Sequence, residues 1–377
     1  GCQEPLIMGK DNANTTNSWF NLGKILELTL NDGVSTVTGK KICDLPEGNT
    51  DALTLLKTVR ERFYKNAEYF CEEMVKAANG ASRAISNLPV PFLSTVMGGI
   101  ETGYDVRDIK NQGTKYNGSG CLIHGTSVVA DSFTAIDKLL AERPQDAARL
   151  LNALKNNFQG DEELREFLLS APKFGNNNET ADNEAVEITN KIADMVRNQK
   201  NYLGNNFRPD FSTPSTHLLY GYWVGALPCG RKSRDMLNYG VDPLYGEAQN
   251  GLGFRTLSLM KLPFIKMCGG YASHFGIDPK YFTTDTYESK GIEFKNKVMK
   301  PLFFNELNND VAPFYLYVNV TTPETLRKVL ADPQKYAPSG VYIMRIHGTF
   351  VNFLDLSPEI QQDIITRLDL KSTCIGC

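Results

Sequence analysis

Gly1-Cys2-Gln3-Glu4-Pro5 stands at one end of the chain, and Arg345-Ile346-His347-Gly348-Thr349-Phe350-Val351-Asn352-Phe353 lies near the other. Read as chemistry, the two stretches complement each other. A backbone radical is most stable at an α-carbon without a side chain, where the centre can flatten and delocalise into the flanking amides; glycine alone lacks a Cβ. A thiol gives up its hydrogen more readily than other ordinary side chains, so Cys2 suits a one-electron relay better than two-electron thiolate chemistry. In an extended loop, residues i and i+2 project to one side, which brings Glu4 to the space in front of Cys2. Each stretch alone is a weak signal. A cysteine near a proline is usually a small buried hydrophobe, and a glycine after Arg-Ile-His is usually a turn.

The segments between them add weight. Phe20-Asn21-Leu22-Gly23-Lys24 runs into Leu26-Glu27-Leu28-Thr29-Leu30-Asn31-Asp32-Gly33, a helical pattern closed by a glycine C-cap. Asn206-Phe207-Arg208-Pro209 is followed by Gly225-Ala226-Leu227-Pro228-Cys229-Gly230-Arg231-Lys232, then by Asp242-Pro243-Leu244-Tyr245-Gly246. Phe314-Tyr315-Leu316-Tyr317-Val318-Asn319-Val320 reads as a strand, and Leu356-Ser357-Pro358 opens a helical pattern through Arg367.

In this order and wording the chain resembles the glycyl radical enzymes, with their cysteine loop, their G-A-x-P-x-G-R turn and their radical loop. The resemblance implies an α/β fold: the C-terminal half of a ten-stranded barrel, carrying both the cysteine loop and the glycine radical loop. It divides the chain into a half-barrel catalytic region, 1–290, starting at the cysteine loop, and a glycine radical domain, 291–377. It implies that Gly348 stores a radical installed by a separate radical-SAM activating enzyme, with no bound cofactor. Cys2 then abstracts a substrate hydrogen, Glu4 acts as acid or base, and Arg345 supports the radical loop. The implied partners are that activating enzyme, a small-molecule substrate, an N-terminal half of the barrel in the same or a separate chain, and a second copy in a homodimer.

The family's pyruvate formate-lyases carry two adjacent cysteines, and Cys2 has no cysteine neighbour. The Cys-x-Glu arrangement resembles instead the eliminating members, which act as dehydratases and C–N or C–S lyases. Arylacetate decarboxylation and addition to fumarate stay open, with Trp19, Phe20 and Phe92 as aromatic walls. So does a non-catalytic reading, a degenerate half-barrel acting as scaffold or binding subunit. His347 and Thr349 flank Gly348 where the family has Cys, Ser or Ala before the glycine and Tyr after it. Both leave the Cα–H in place and change the packing around it.

Further residues invite substrate-binding roles. Arg231 follows a Pro-Cys-Gly turn and suits a bidentate carboxylate clamp, although such an arginine more often braces loops. His124, after Leu122-Ile123, stands where a strand would end over a pocket, although a hydrogen-bonded core histidine is the commoner case.

Composition excludes several classes. A net charge of -3 over 377 residues offers no electrostatic reason for nucleic acid or an anionic membrane surface. No apolar run approaches the ~20 residues that span a bilayer, and there is no signal-peptide pattern; a cytoplasmic location is expected. The eight cysteines are scattered and fit reduced thiols. Cys374-Ile375-Gly376-Cys377 has C-x-x-C spacing, but one such pair cannot close a tetrahedral zinc site. The four histidines show no metal spacing, and no metal is expected.

Helical periodicity marks one long amphipathic helix over 51–79, others over 132–141, 144–158, 161–169 and 183–198, and a polar loop at Gly175-Asn176-Asn177-Asn178. Strands are expected over 315–320 and 341–346, with a charged linker at 284–300.

Overall fold

Five parallel strands, adjacent in space in the order they occur in the chain, organise the protein. The computed structural model describes residues 4–12, 14, 17–46, 48, 50–213, 216–304, 315–346, 348–369 and 374–375. β1 (Ser18–Asn21), β2 (Ser119–His124), β3 (Phe207–Phe211), β4 (Gly270–Ile277) and β5 (Tyr315–Val320) lie side by side. β6 (Ile343–Ile346) and β7 (Thr349–Asn352) form a separate antiparallel hairpin, and β8 (Cys374–Ile375) adds a short parallel pairing to β4.

Parallel neighbours need crossover connections, and helices supply them. Between β1 and β2 run α1 (Leu22–Leu30), α2 (Ala52–Lys57), α3 (Val59–Ile85), α4 (Pro91–Val96) and α5 (Gly99–Thr102). Between β2 and β3 come α6 (Thr126–Glu142), α7 (Ala147–Lys155), α8 (Glu162–Leu169) and α9 (Glu179–Arg197). α10 (Thr216–Tyr222) and α11 (Leu252–Leu259) lead to β4, and α12 (Tyr287–Phe294) and α13 (Lys300–Phe303) lead towards β5. α14 (Pro323–Ala331) and α15 (Pro333–Tyr336) precede the hairpin, and α16 (Pro358–Asp369) follows it.

Successive strand residues point to opposite faces, and the two faces differ in chemistry. Phe20, Cys121, Ile123, Phe207, Phe211 and Tyr271 share one buried core with Leu26, Phe63, Phe133, Ile136, Ile188 and Ile192 of the helices. The alternate residues make the inner face. Register aligns Trp19, Leu122, Asp210 and Gly270 in one row across it, and Asn21 with His124 in the next. Sequential parallel strands with helices on one face are the construction of an α/β barrel. Here the sheet is open, with β1 and β5 at its edges, so the fold is a half-barrel.

The helical expectations hold in kind and shift at their ends. The long helix over 51–79 breaks at Thr58, whose hydroxyl donates to the Thr54 carbonyl (2.8 Å) and accepts from Arg62 Nε (2.9 Å); α3 then continues to Ile85. The segment 144–158 opens with a 3-10 turn, Pro144–Asp146, and α7 stops at Lys155 because Asn157 and Phe158 take positive φ. α9 starts before the expected 183, at Glu179, where Asn178 caps it through the Thr180 and Ala181 amides. The expected linker is helical, because Thr286 and Ser289 form a capping box that starts α12. A division between 290 and 291 falls inside that helix, and β5 beyond it belongs to the same sheet. Leu326, Val329, Met344, Ile346, Phe353, Ile364, Ile365 and Leu368 form a second, smaller core around the hairpin and α16. No helix among the described residues is long and apolar enough to cross a membrane.

Phe211 fills the helix-side core at the centre of the sheet, so Phe211→Ala is expected to lower unfolding stability by about 3–5 kcal/mol, measured by urea denaturation. A loss below ~1 kcal/mol would contradict this packing.

Candidate active site

Cys2 lies outside the described residues. Glu4, two positions on, is buried, with 7% of its surface exposed. The chain that follows is pinned to the start of β2. Lys10 O accepts from the Tyr116 amide (2.7 Å), the Asn12 amide donates to Tyr116 O (3.0 Å), and Asn14 O accepts from the Gly120 amide (2.8 Å). Arg208, on the inner face of β3, completes the anchor. One of its nitrogens pairs with Asp11 at 2.7 Å and another donates to the Gly118 carbonyl at 3.1 Å. The loop carrying Glu4 is thereby fixed to the inner side of β2 and β3.

Asp210 is the next inner-face residue of β3, and it is fully buried. Its Oδ1 accepts from the Ser212 amide at 2.8 Å; its Oδ2 meets no hydrogen-bond donor among the described residues. Burial, reinforced by the nearby Glu4 carboxyl, pushes the Asp210 carboxyl up to about 8 against the weaker pull of Ser212 and Arg208. Two carboxyl groups thus share one enclosed region, an arrangement typical of acid–base sites.

His124 ends β2 on the same face. Its Nε2 lies 2.7 Å from Thr216 Oγ1, and its ring is tilted against Tyr220 with centroids 4.5 Å apart. Burial drives its pKa down to about 3, so it works as a neutral hydrogen-bonding group. Trp19 stands on the inner face, 46% exposed.

Other expected site residues fall elsewhere. Phe20 is 2% exposed and packs in the helix-side core, because its neighbour Trp19 takes the inner position; it is no wall of the inner face. Phe92 sits on α4, 84% exposed and away from the strand rows. Arg231 spends its N–H groups on backbone carbonyls: Nε on Met236 (3.0 Å), Nη1 on Gly225 (2.8 Å), and Nη2 on Gly221 (2.7 Å) and Asp235. It braces the 225–231 turn. The same turn needs glycine at 225, since a Cβ there would meet Thr36 Oγ1 at 1.9 Å. Buried Glu27 seals it by accepting from Lys24, the Thr36 amide and hydroxyl, and the Gly225 amide, each at 2.8 Å.

Gly348 sits in the turn of the β6–β7 hairpin with φ +80°, a conformation that favours glycine in its own right. Thr349 closes the turn by donating from Oγ1 to the Ile346 carbonyl at 3.0 Å. Arg345 lies over the Phe350 ring, 5.5 Å from its centroid, as its cross-strand partner. Its guanidinium therefore stacks on an aromatic neighbour across the hairpin. His347 lies outside the described residues. Among the described residues, no group of three or more His, Cys, Asp or Glu side chains is placed to hold a metal ion.

Asp210 and Arg208 were missed by sequence reasoning, yet a signal was present. Phe207-Arg208-Pro209-Asp210-Phe211 alternates apolar and charged residues with period two, the mark of a strand with two different faces.

The parallel half-barrel, with a buried acid loop on its inner face, is matched by known proteins. The pyruvate formate lyase-like family model matches residues 1–221, and the chain belongs to this family of glycyl radical enzymes. It is 27% identical over 374 residues to trans-4-hydroxy-L-proline dehydratase of Clostridioides difficile, covering 98% of this chain and 45% of the relative. With isethionate sulfite-lyase of Oleidesulfovibrio alaskensis it shares 26% identity over 373 residues, 97% of this chain and 43% of the relative. The glycerol-bound structure of B12-independent glycerol dehydratase from Clostridium butyricum superimposes with a TM-score of 0.84 at 28% identity, covering 97% of this chain and 45% of that one. The chain spans about half the length of these relatives.

Two outcomes follow from this geometry. Arg208→Met removes the cation paired with buried Asp11 and is expected to cost ~3 kcal/mol of stability, checked by denaturant titration beside wild type. Asp210 binds its proton more tightly when folded than when unfolded, so its contribution to stability is full below the unfolded carboxylate pKa and is lost as pH rises to about 8. Asp210→Asn should therefore gain stability on wild type as pH rises through that window, read from thermal melts across pH. A difference that stays flat with pH would contradict the buried, protonated carboxyl.

Proposed function

We propose that the chain supplies the C-terminal half of the catalytic barrel of a glycyl radical lyase of the dehydratase type. The observation that carries this reading is the buried Glu4 carboxyl, held two residues from Cys2 against the polar inner face of the half-barrel. In this reading Gly348 stores the radical, and Cys2 takes a hydrogen atom from a small polar substrate. Glu4 then moves a proton as the leaving group departs. A separate radical-SAM enzyme installs the radical. The open edges at β1 and β5 are where the other half of the barrel would pair, whether in the same chain or another, and a homodimer of the completed barrel is part of the proposal.

The names of the relatives support a polar substrate: hydroxyproline, isethionate and glycerol all carry a hydroxyl group. The inner face supports it too, since it presents Asp210, His124 and Asn21 beside Trp19. No observation favours an arylacetate or fumarate substrate. The scaffold reading makes the opposite prediction in the following test.

Anaerobic treatment of the full-length protein with a radical-SAM activase, S-adenosylmethionine and reductant is expected to give a glycyl doublet by electron paramagnetic resonance. Gly348→Ala should abolish it. Absence of the doublet with an activase that is competent on a related enzyme would favour the non-catalytic scaffold.

A further inference from the structure

Some buried carboxylates in this protein are saturated and others are not. Glu27 accepts four hydrogen bonds. Asp242 accepts from Arg255, from the Ser273 hydroxyl (2.5 Å) and from the His274 amide (3.0 Å). Asp131, Asp182 and Asp210 each keep one buried oxygen that meets no donor among the described residues; the first two lie on helices α6 and α9, whereas Asp210, its other oxygen bonded to Ser212, lies on the inner face of the sheet. A buried polar atom without a partner is costly, and such atoms persist where something else is meant to bind.

Its place in the sheet says what that is. Asp210 lies in the inner row between Leu122 and Gly270, one residue beyond the loop-anchoring Arg208 on the same face. Arg208 is committed to Asp11 and Gly118, and so leaves Asp210 facing the region of Glu4. His124, at the end of β2 on that face, holds Thr216 through Nε2 and stays neutral, which makes it a poor proton donor.

We propose that Asp210 is the second reacting carboxyl of the site, its Oδ2 passing a proton to the oxygen of the leaving group while Glu4 accepts one from the adjacent hydroxyl. The assignment rests on the radical lyase reading and narrows its substrates to compounds with a hydroxyl next to an oxygen leaving group. Cys2 first removes a hydrogen atom from the carbon bearing the hydroxyl. Glu4 then takes the hydroxyl proton, and the neighbouring C–O bond breaks with both electrons staying on the departing oxygen. Asp210 protonates that oxygen, so a hydroxyl leaves as water. The product radical, now next to a carbonyl, recovers a hydrogen atom from the Cys2 thiol. One proton passed from Glu4 to Asp210 resets the pair. No external oxidant or reductant is consumed.

The titratable groups in electrostatic reach of Asp210 are Glu4, Arg208 on its own strand, Cys121 on β2 and Cys268 just before β4. Burial keeps both thiols neutral, so Glu4 is the neighbour whose removal should move Asp210 downward.

Infrared spectroscopy of the full-length, unactivated protein tests the pairing directly. At neutral pH the wild type minus Asp210→Asn difference spectrum is expected to show a protonated carboxylic acid band, separate from that of buried Asp131, whose carboxyl burial pushes up to about 7, and this band should titrate at lower pH in Glu4→Gln. A difference spectrum without the band, or a band indifferent to Glu4→Gln, overturns the proposal. After activation, Asp210→Asn should show a glycyl doublet equal to wild type but kcat lowered by about 100-fold on whichever of the vicinal diols glycerol or 1,2-propanediol wild type turns over. Asp210→Ser serves as a second variant. Turnover by Asp210→Asn within about threefold of wild type overturns the acid role. A wild type that forms no doublet counts against the radical reading, and the infrared bands then decide the carboxyl pair; a doublet with neither diol turned over overturns the substrate assignment.

Discussion

The strict two-residue alternation of five parallel strands is the constraint on which everything else in this protein depends. It sends Phe207 and Phe211 to the helices and, on the same short strand, Arg208 and Asp210 to the other side. A slip of one residue would bury both charges among the helices and expose the phenylalanines. The helix-side core therefore does more than stabilise the sheet. By fixing register it fixes which side chains confront the loop that carries Glu4.

That loop is held by polar contacts instead of apolar packing. The Arg208–Asp11 pair and the backbone bonds to residues 116–120 have the directionality that hydrophobic contact lacks, and proton transfer depends on placement to a fraction of an ångström. The contrast among buried carboxylates follows the same logic. Glu27 and Asp242 are fully bonded and act as struts, and Arg231 braces its turn in the same manner. Asp210 is bonded on one side only.

How much of this was legible in the sequence varies by element. Long amphipathic helices were, because α3, α8 and α9 each bury one stripe against the same core, whereas α6 is buried all round over 126–136. Their ends were less so, since Thr58, Asn157 and Asn178 act through hydrogen bonds and φ values that periodicity does not encode. Of the five sheet strands, β5 was given bounds and β2 was marked by its end at His124 alone. β2 is buried on both faces and so shows no alternation, and β3 carries a proline and two charges in five residues. Within the site, Glu4 was legible from its spacing to Cys2, whereas Asp210 lies more than 200 positions away and meets it only through the sheet order. Phe20 was misjudged because adjacent strand residues look alike in composition and differ only in the face they take.

Trp19 sits on the inner row, and the chain's other tryptophan, Trp223, lies beside Tyr222 with its ring edge-on at 5.2 Å. The indole at position 19 is therefore a native optical probe of the barrel interior. With Trp223 replaced by phenylalanine, the tryptophan emission of this chain comes from one residue. Its colour and quenching then record whether water, a docked half-barrel or an organic molecule occupies the space in front of β1.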